Sequence, residues 1–209
     1  MSGASYDFAA MTVGGFAARL AEKVPAPGGG AVAGVTAAHA VALLEMVLSY
    51  SVGKKRFVAR EAEAPALAAR LATLRAEALS AATADATAYA ALNALWKLPD
   101  GDATKIRDFP AAVDGAIAAP KSLLSIAEAT LDLGASLLPD SAPALDSDLA
   151  ISADLAAVAA RAAAWNVRVN LPSLADAARR DREKAELDAT LARIDGKSRG
   201  LAAAIAGRN

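Results

Sequence analysis

The chain has 209 residues, 55% of them hydrophobic but only 4% aromatic, and alanine supplies most of the apolar content. Twenty-two Lys and Arg against 23 Asp and Glu give a net charge of −1, without the basic surplus that nucleic-acid binding needs. With no cysteine and one histidine, disulfides, thiol nucleophiles, thiolate metal sites and histidine-rich zinc sites are excluded.

Alanine loses no side-chain entropy in a helix, so long alanine-rich runs without Gly or Pro predict an all-α fold. The length suits one large domain, and we read residues 1–209 as a single bundle of long helices. The opening "MSGASYDFAAMTV" has no basic segment followed by an apolar one, which predicts a cytoplasmic protein. A first helix is expected over residues 12–24, capped by Thr12 and ended by Pro25 and Pro27. The second starts at the glycines of "VPAPGGGAVAG", residues 24–34, and runs to about residue 52. It is long enough for a membrane span. Glu45 and His39 are costly in lipid, however, and alanine is weakly apolar, so the reading is the buried central helix of a bundle. His39 is then expected as a core residue.

"GKKRF", residues 53–57, stops that helix. Its cations Lys54, Lys55 and Arg56 suit either the helix dipole or an anionic ligand. A third helix follows to about residue 96, with Pro65 near its start, and "KLPDGD" turns the chain. A fourth helical region spans 104–138, interrupted by Pro110 and Pro120, and a fifth spans 147–170. Pro172 is expected to open the last, charged helix.

Two apolar seams carry polar residues. In the third helix Leu67, Leu71, Leu74, Ala78, Ala81, Ala88, Leu92 and Leu95 recur at steps of three and four, with Asp85 filling the step between Ala81 and Ala88. A carboxylate there is either paired or serves chemistry. In the fifth, Ile151, Leu155, Val158, Ala162 and Trp165 form a seam that leads back to Asp148, which is either a cap or a functional group. Asn166 and Asn170 share one face, for a ligand or for amide packing between helices. The glycines at 28–30 fit neither dinucleotide nor P-loop spacing. They leave bare backbone N–H groups at a helix entrance for a flat or anionic ligand, or else they permit a close helix crossing.

In order, "PAPGGGAVAG", "EMVLSYSVGKKRF", "DATAYAALNALWKLP" and "NVRVNL" resemble the cyclodeaminase/cyclohydrolase family across about residues 13–176. That family includes the cyclodeaminase half of formiminotransferase-cyclodeaminase and stand-alone methenyltetrahydrofolate cyclohydrolases. The chain departs from it at Ala31, where Ser is frequent, and at Ser49, Tyr50 and Ser51, where Asn-Leu-Thr is common. The usual Gly-Asn before Asp148 is also missing. The resemblance implies an all-helical homodimer acting on a one-carbon derivative of tetrahydrofolate, without metal or redox cofactor; the amount of apolar helix, above all over residues 31–52, predicts a homodimer or a higher even-numbered oligomer, and charge and composition argue against nucleic acid and membrane. The expected activity is cyclohydrolase; the alternatives are the sister cyclodeaminase reaction and a non-catalytic folate-binding protein. By the same resemblance Asp148 and Asp85 are acid/base candidates, and Lys54 is a proton donor or a partner for folate carboxylates. Pro27, Gly28, Gly29, Gly30, Lys55, Asn166 and Asn170 are substrate-binding candidates.

Overall fold

A computed structural model describes residues 6–208, and every regular element among them is helical. Six α-helices follow in order: α1 (Val13–Leu20), α2 (Gly29–Ser51), α3 (Ala64–Trp96), α4 (Ala103–Leu137), α5 (Asp146–Asn170) and α6 (Ala177–Ala206). α2 packs against α3, α4 and α5; α4 closes the group against α3 and α5; α6 lies outside on α4 and α5. A short apolar cluster of Phe8, Ala26, Ala31, Ala82 and Ala86, edged by Phe16, ties the N-terminal segment to the loop before α2.

Sequence chemistry accounts for most of the boundaries. Thr12 caps α1 through the Gly15 N–H at 3.0 Å, and Asp102 caps α4 through Thr104 and Lys105. α1 ends at Leu20, earlier than expected, and α6 opens at Ala177 under an Asp176 cap rather than at Pro172. Pro172 sits instead in a separate 3-10 turn, Leu171–Ser173. The prolines of α4 do not interrupt it. A helical proline frees the carbonyl four residues back. For Pro120 that carbonyl is Ala116, and it accepts the Asn170 Nδ2 amide at 3.1 Å. For Pro110 it is Ile106, which is exposed to water.

α2 runs antiparallel to both main neighbours. Glu45 meets Arg75 at 2.7 Å near one end and Gly30 lies on Asp85 at the other, while Ser152 Oγ donates to the Ala40 carbonyl at 2.7 Å. The α2–α3 crossing is close. A β-carbon on Gly34 would stand 2.7 Å from the Ala78 carbonyl and 2.7 Å from Ala82 Cβ. The glycine that a tight crossing requires is therefore Gly34.

Two expectations about faces are corrected. The face of α5 that enters the core is alanine, with Ala156, Ala159, Ala160, Ala163 and Ala164 buried around Leu149 and Val167. The seam of larger residues points outward: Ile151 is 49% exposed, Val158 46% and Trp165 66%. Small side chains let helix axes approach, so spacing put alanine inside and left the bulkier stripe outside. Likewise α2 is buried on one side only, and His39 is exposed on the other. α2 is long and apolar enough to cross a membrane, and 56% of its most apolar window is buried inside the bundle.

Candidate active site

The loop before α2 ends in Gly28, whose extended backbone (φ −138°, ψ −162°) serves as N-cap with no side-chain hydrogen bond. The first intrahelical bond of this end runs from Val32 N to the Gly28 carbonyl at 3.0 Å. The N–H groups of Gly29, Gly30 and Ala31 precede that bond and carry the positive end of the helix dipole. None of these glycines has positive φ; the one residue among those described that does is Gly53, at +75°. Their role is space.

That space is used by Asp85. A β-carbon on Gly30 would lie 2.0 Å from Asp85 Oδ2, so the carboxylate rests where a side chain would otherwise stand. Asp85 comes from the middle of α3, from the seam position that a carboxylate should not occupy without reason. Burial pushes its carboxyl up to about 6. Among the described residues no donor is found for it. Asn166 approaches from α5: its Nδ2 donates to the Ala162 carbonyl at 3.0 Å, and its Oδ1 faces Gly29.

Two clefts meet at these groups. One, of about 240 Å³, is lined by residues 24–30 with Asp85, Ala86, Tyr89 and Asn166. The other, of about 170 Å³, runs on along α3 past Tyr89 to Trp96 and is closed by Val169 and Asn170. A larger cleft of about 480 Å³ lies between the end of α2 and the start of α3. It is lined largely by apolar groups, and its carboxylate, Glu45, is held by Arg75.

The structure thus brings together Pro27, Gly28, Gly29, Gly30, Asp85, Asn166 and Asn170. Asn170 is largely committed to the backbone, bonding the carbonyls of Ala116 and Asn166. It does not bring Asp148, Lys54 or Lys55 to them. Asp148 lies in the first turn of α5, 18 residues before Asn166 near its other end, about 27 Å at 1.5 Å per residue. Lys54 and Lys55 follow the far end of α2, 23 residues or about 34 Å from the glycines. Neither Ser147 nor Asp148 caps α5: Leu145 holds that position without a side-chain bond. Tyr89 and Trp96 were absent from the sequence-derived site. Their signal was present in "DATAYAALNALW", where they continue the face of Asp85 at helical spacing.

The profile of the formiminotransferase-cyclodeaminase family matches residues 12–189. A methenyltetrahydrofolate cyclohydrolase from Methylorubrum extorquens is 28% identical over 185 residues, 87% of this chain and 89% of that one. A crystal structure of formiminotetrahydrofolate cyclodeaminase from Thermotoga maritima superposes with a TM-score of 0.86 at 25% identity. That match covers 95% of this chain and 98% of the other.

Proposed function

Since the chain belongs to the formiminotransferase-cyclodeaminase family, we infer that its site hydrolyses the one-carbon bridge of 5,10-methenyltetrahydrofolate to the 10-formyl compound. The observation that carries this reading is Asp85: a desolvated, unpaired carboxylate against the bare N-terminus of α2.

The methenyl carbon joins two folate nitrogens in an amidinium-like cation. Above about pH 6 Asp85 is ionised and attracts that charge. Water adds to the bridging carbon, and Asp85 takes the water's proton as the new C–O bond forms. The adduct is tetrahedral, with its oxygen within the field of the α2 N–H groups. Asp85 then returns the proton to the leaving nitrogen, that C–N bond breaks, and the hydroxyl loses its proton as the formyl group forms. One water is consumed and one proton is released, and no metal or redox group takes part in the reaction so written. Tyr89 and Trp96 offer ring faces for the flat parts of the substrate.

The similarity to a cyclodeaminase structure favours a second reading on the same site. There a folate nitrogen attacks a formimino carbon and Asp85 protonates departing ammonia. Offering purified protein both substrates in parallel tests the two. Loss of methenyl absorbance in the near ultraviolet, well above the buffer rate, supports hydrolysis; ammonia release from the formimino substrate with an inert methenyl compound selects the second reading. Tight binding without turnover of either overturns both.

A further inference from the structure

α4 is a single helix of 35 residues with two prolines inside it, and the two are not alike. A proline has no N–H to give the carbonyl four residues back. At Pro110 that carbonyl belongs to Ile106, an exposed residue, and water can bond it. Pro120 is buried, and the carbonyl it leaves belongs to Ala116, which lines the cleft beside Asp85. There the Asn170 Nδ2 amide replaces the missing donor at 3.1 Å. A side chain of α5 thus bonds the wall of α4 at a place where that helix has a backbone acceptor to spare.

The same nitrogen also donates to the Asn166 carbonyl at 2.9 Å. Both N–H bonds of the Asn170 amide are therefore spent on backbone, one on each helix. This fixes which end of the amide is which, because turning it over would set Oδ1 against two carbonyl oxygens. Oδ1 is left over: it has no donor among the described residues, and Asn170 forms part of the wall of the cleft that holds Tyr89 and Trp96. Asn166, one turn earlier, is held in a similar way. Its Nδ2 donates to the Ala162 carbonyl at 3.0 Å, and its Oδ1 lies nearest Gly29. With the Asp85 carboxylate, the two amide oxygens form a row of acceptors, the amides one helical turn, about 5.4 Å, apart. Such a row suits a flat ring that turns an edge of N–H donors toward α5.

We propose that Pro120 is a positioning residue for substrate recognition: by leaving the Ala116 carbonyl without its helical donor, it holds the Asn170 amide with Oδ1 toward the cleft, where that oxygen accepts an N–H of the bound ring. Alanine at 120 would return an N–H to Ala116, and the carbonyl would swing back toward the helix axis to meet it. The Asn170 nitrogen would then keep one bond of its two, and the amide would be free to turn about χ2. On the folate reading above, on which the identity of the ring rests, the donor is the amino group of the pterin's pyrimidine ring. That group lies across the bicyclic ring from the bridging carbon. The bond is therefore equally strong before and during the reaction, so its loss appears in KM and spares kcat. The hold on Asn170 does not depend on folate.

The variants that test this are Pro120→Ala, Asn170→Ala, the two combined, and Pro110→Ala as the control for removing a helical proline. For Asn170→Ala the expected KM of the methenyl substrate is about tenfold higher, with kcat within about twofold of wild type, as for one hydrogen bond made before the chemistry. Pro120→Ala should behave in the same way, and Pro110→Ala should leave KM unchanged. The combined variant should be no worse than Asn170→Ala alone, because both changes break one interaction. A wild-type KM in Pro120→Ala, a fall in its kcat instead, or a penalty that adds in full to that of Asn170→Ala overturns the proposal. Nuclear magnetic resonance of nitrogen-labelled protein reads the hold directly. The Asn170 side-chain amide, identified by its absence from Asn170→Ala, should exchange its protons slowly in wild type and in Pro110→Ala, and fast in Pro120→Ala. Slow exchange retained in Pro120→Ala overturns the positioning whatever the substrate. Should the wild type turn over neither folate, faster exchange in Pro120→Ala still supports the hold on Asn170, and only the folate reading falls.

Discussion

A single carboxylate against a glycine concentrates the chemistry of this molecule, and it makes opposite demands on activity and stability. Asp85→Asn removes the base while keeping the shape, and turnover of the methenyl substrate should fall by about a hundredfold or more. In the wild type, kcat/KM should rise through about pH 6 as Asp85 ionises and level above it; the variant should lose that limb. Stability runs the other way. The folded carboxyl, raised from 3.8 to about 6, holds its proton more tightly than the unfolded chain does. Its contribution is full below about pH 4 and is lost as pH rises through 6. Asp85→Asn should therefore be more stable than wild type at pH 8, by about 1–2 kcal/mol once partial exposure is discounted, and no more stable at pH 4. Urea melts at the two pH values check the sign. Gly30→Ala reaches the same group without touching its charge: the new methyl must displace the carboxylate. Turnover should drop at least tenfold with unchanged helical circular dichroism.

The glycines of α2 separate by the element they serve. Gly34→Ala forces a methyl against the backbone of α3 and should cost about 2 kcal/mol, a fall in Tm of roughly 4–8 °C by calorimetry. Gly29→Ala meets only Asn166, at 3.7 Å, and should melt like wild type. At this scale the sequence was largely legible, because caps, prolines and long alanine runs are local signals. Thr12 does cap α1, and α2 and α3 end within a residue of expectation. What escaped depended on neighbours. Pro120 stays inside α4 because an asparagine 50 positions later in the chain satisfies the carbonyl it frees. The large residues of α5 looked like core by periodicity, which shows that a helix has two faces but not which one turns inward. Asp85 was legible as a polar residue inside a seam. Tyr89 and Trp96 were not, because an aromatic at helical spacing reads equally well as packing, and the separation of Lys54 and Asp148 from Asp85 appears only once the helices have lengths and directions.

At the scale of the whole molecule, α5 turns its larger residues outward, with Ile151, Val158 and Trp165 between 46% and 66% exposed, and its alanines inward. The alanine face of α5 has a consequence for how the protein tolerates change. A core of leucine and isoleucine fails by truncation, because removed methyl groups leave holes. Ala156, Ala160, Ala163 and Ala164 have one methyl each to lose, and their side chains already lie fully against neighbouring helices. In a saturation library of α5, serine and glycine at these positions should survive far more often than valine, leucine or methionine, although the latter are the more hydrophobic. Tolerance along this helix should therefore sort by side-chain volume rather than by polarity, inverting the ranking expected for buried positions.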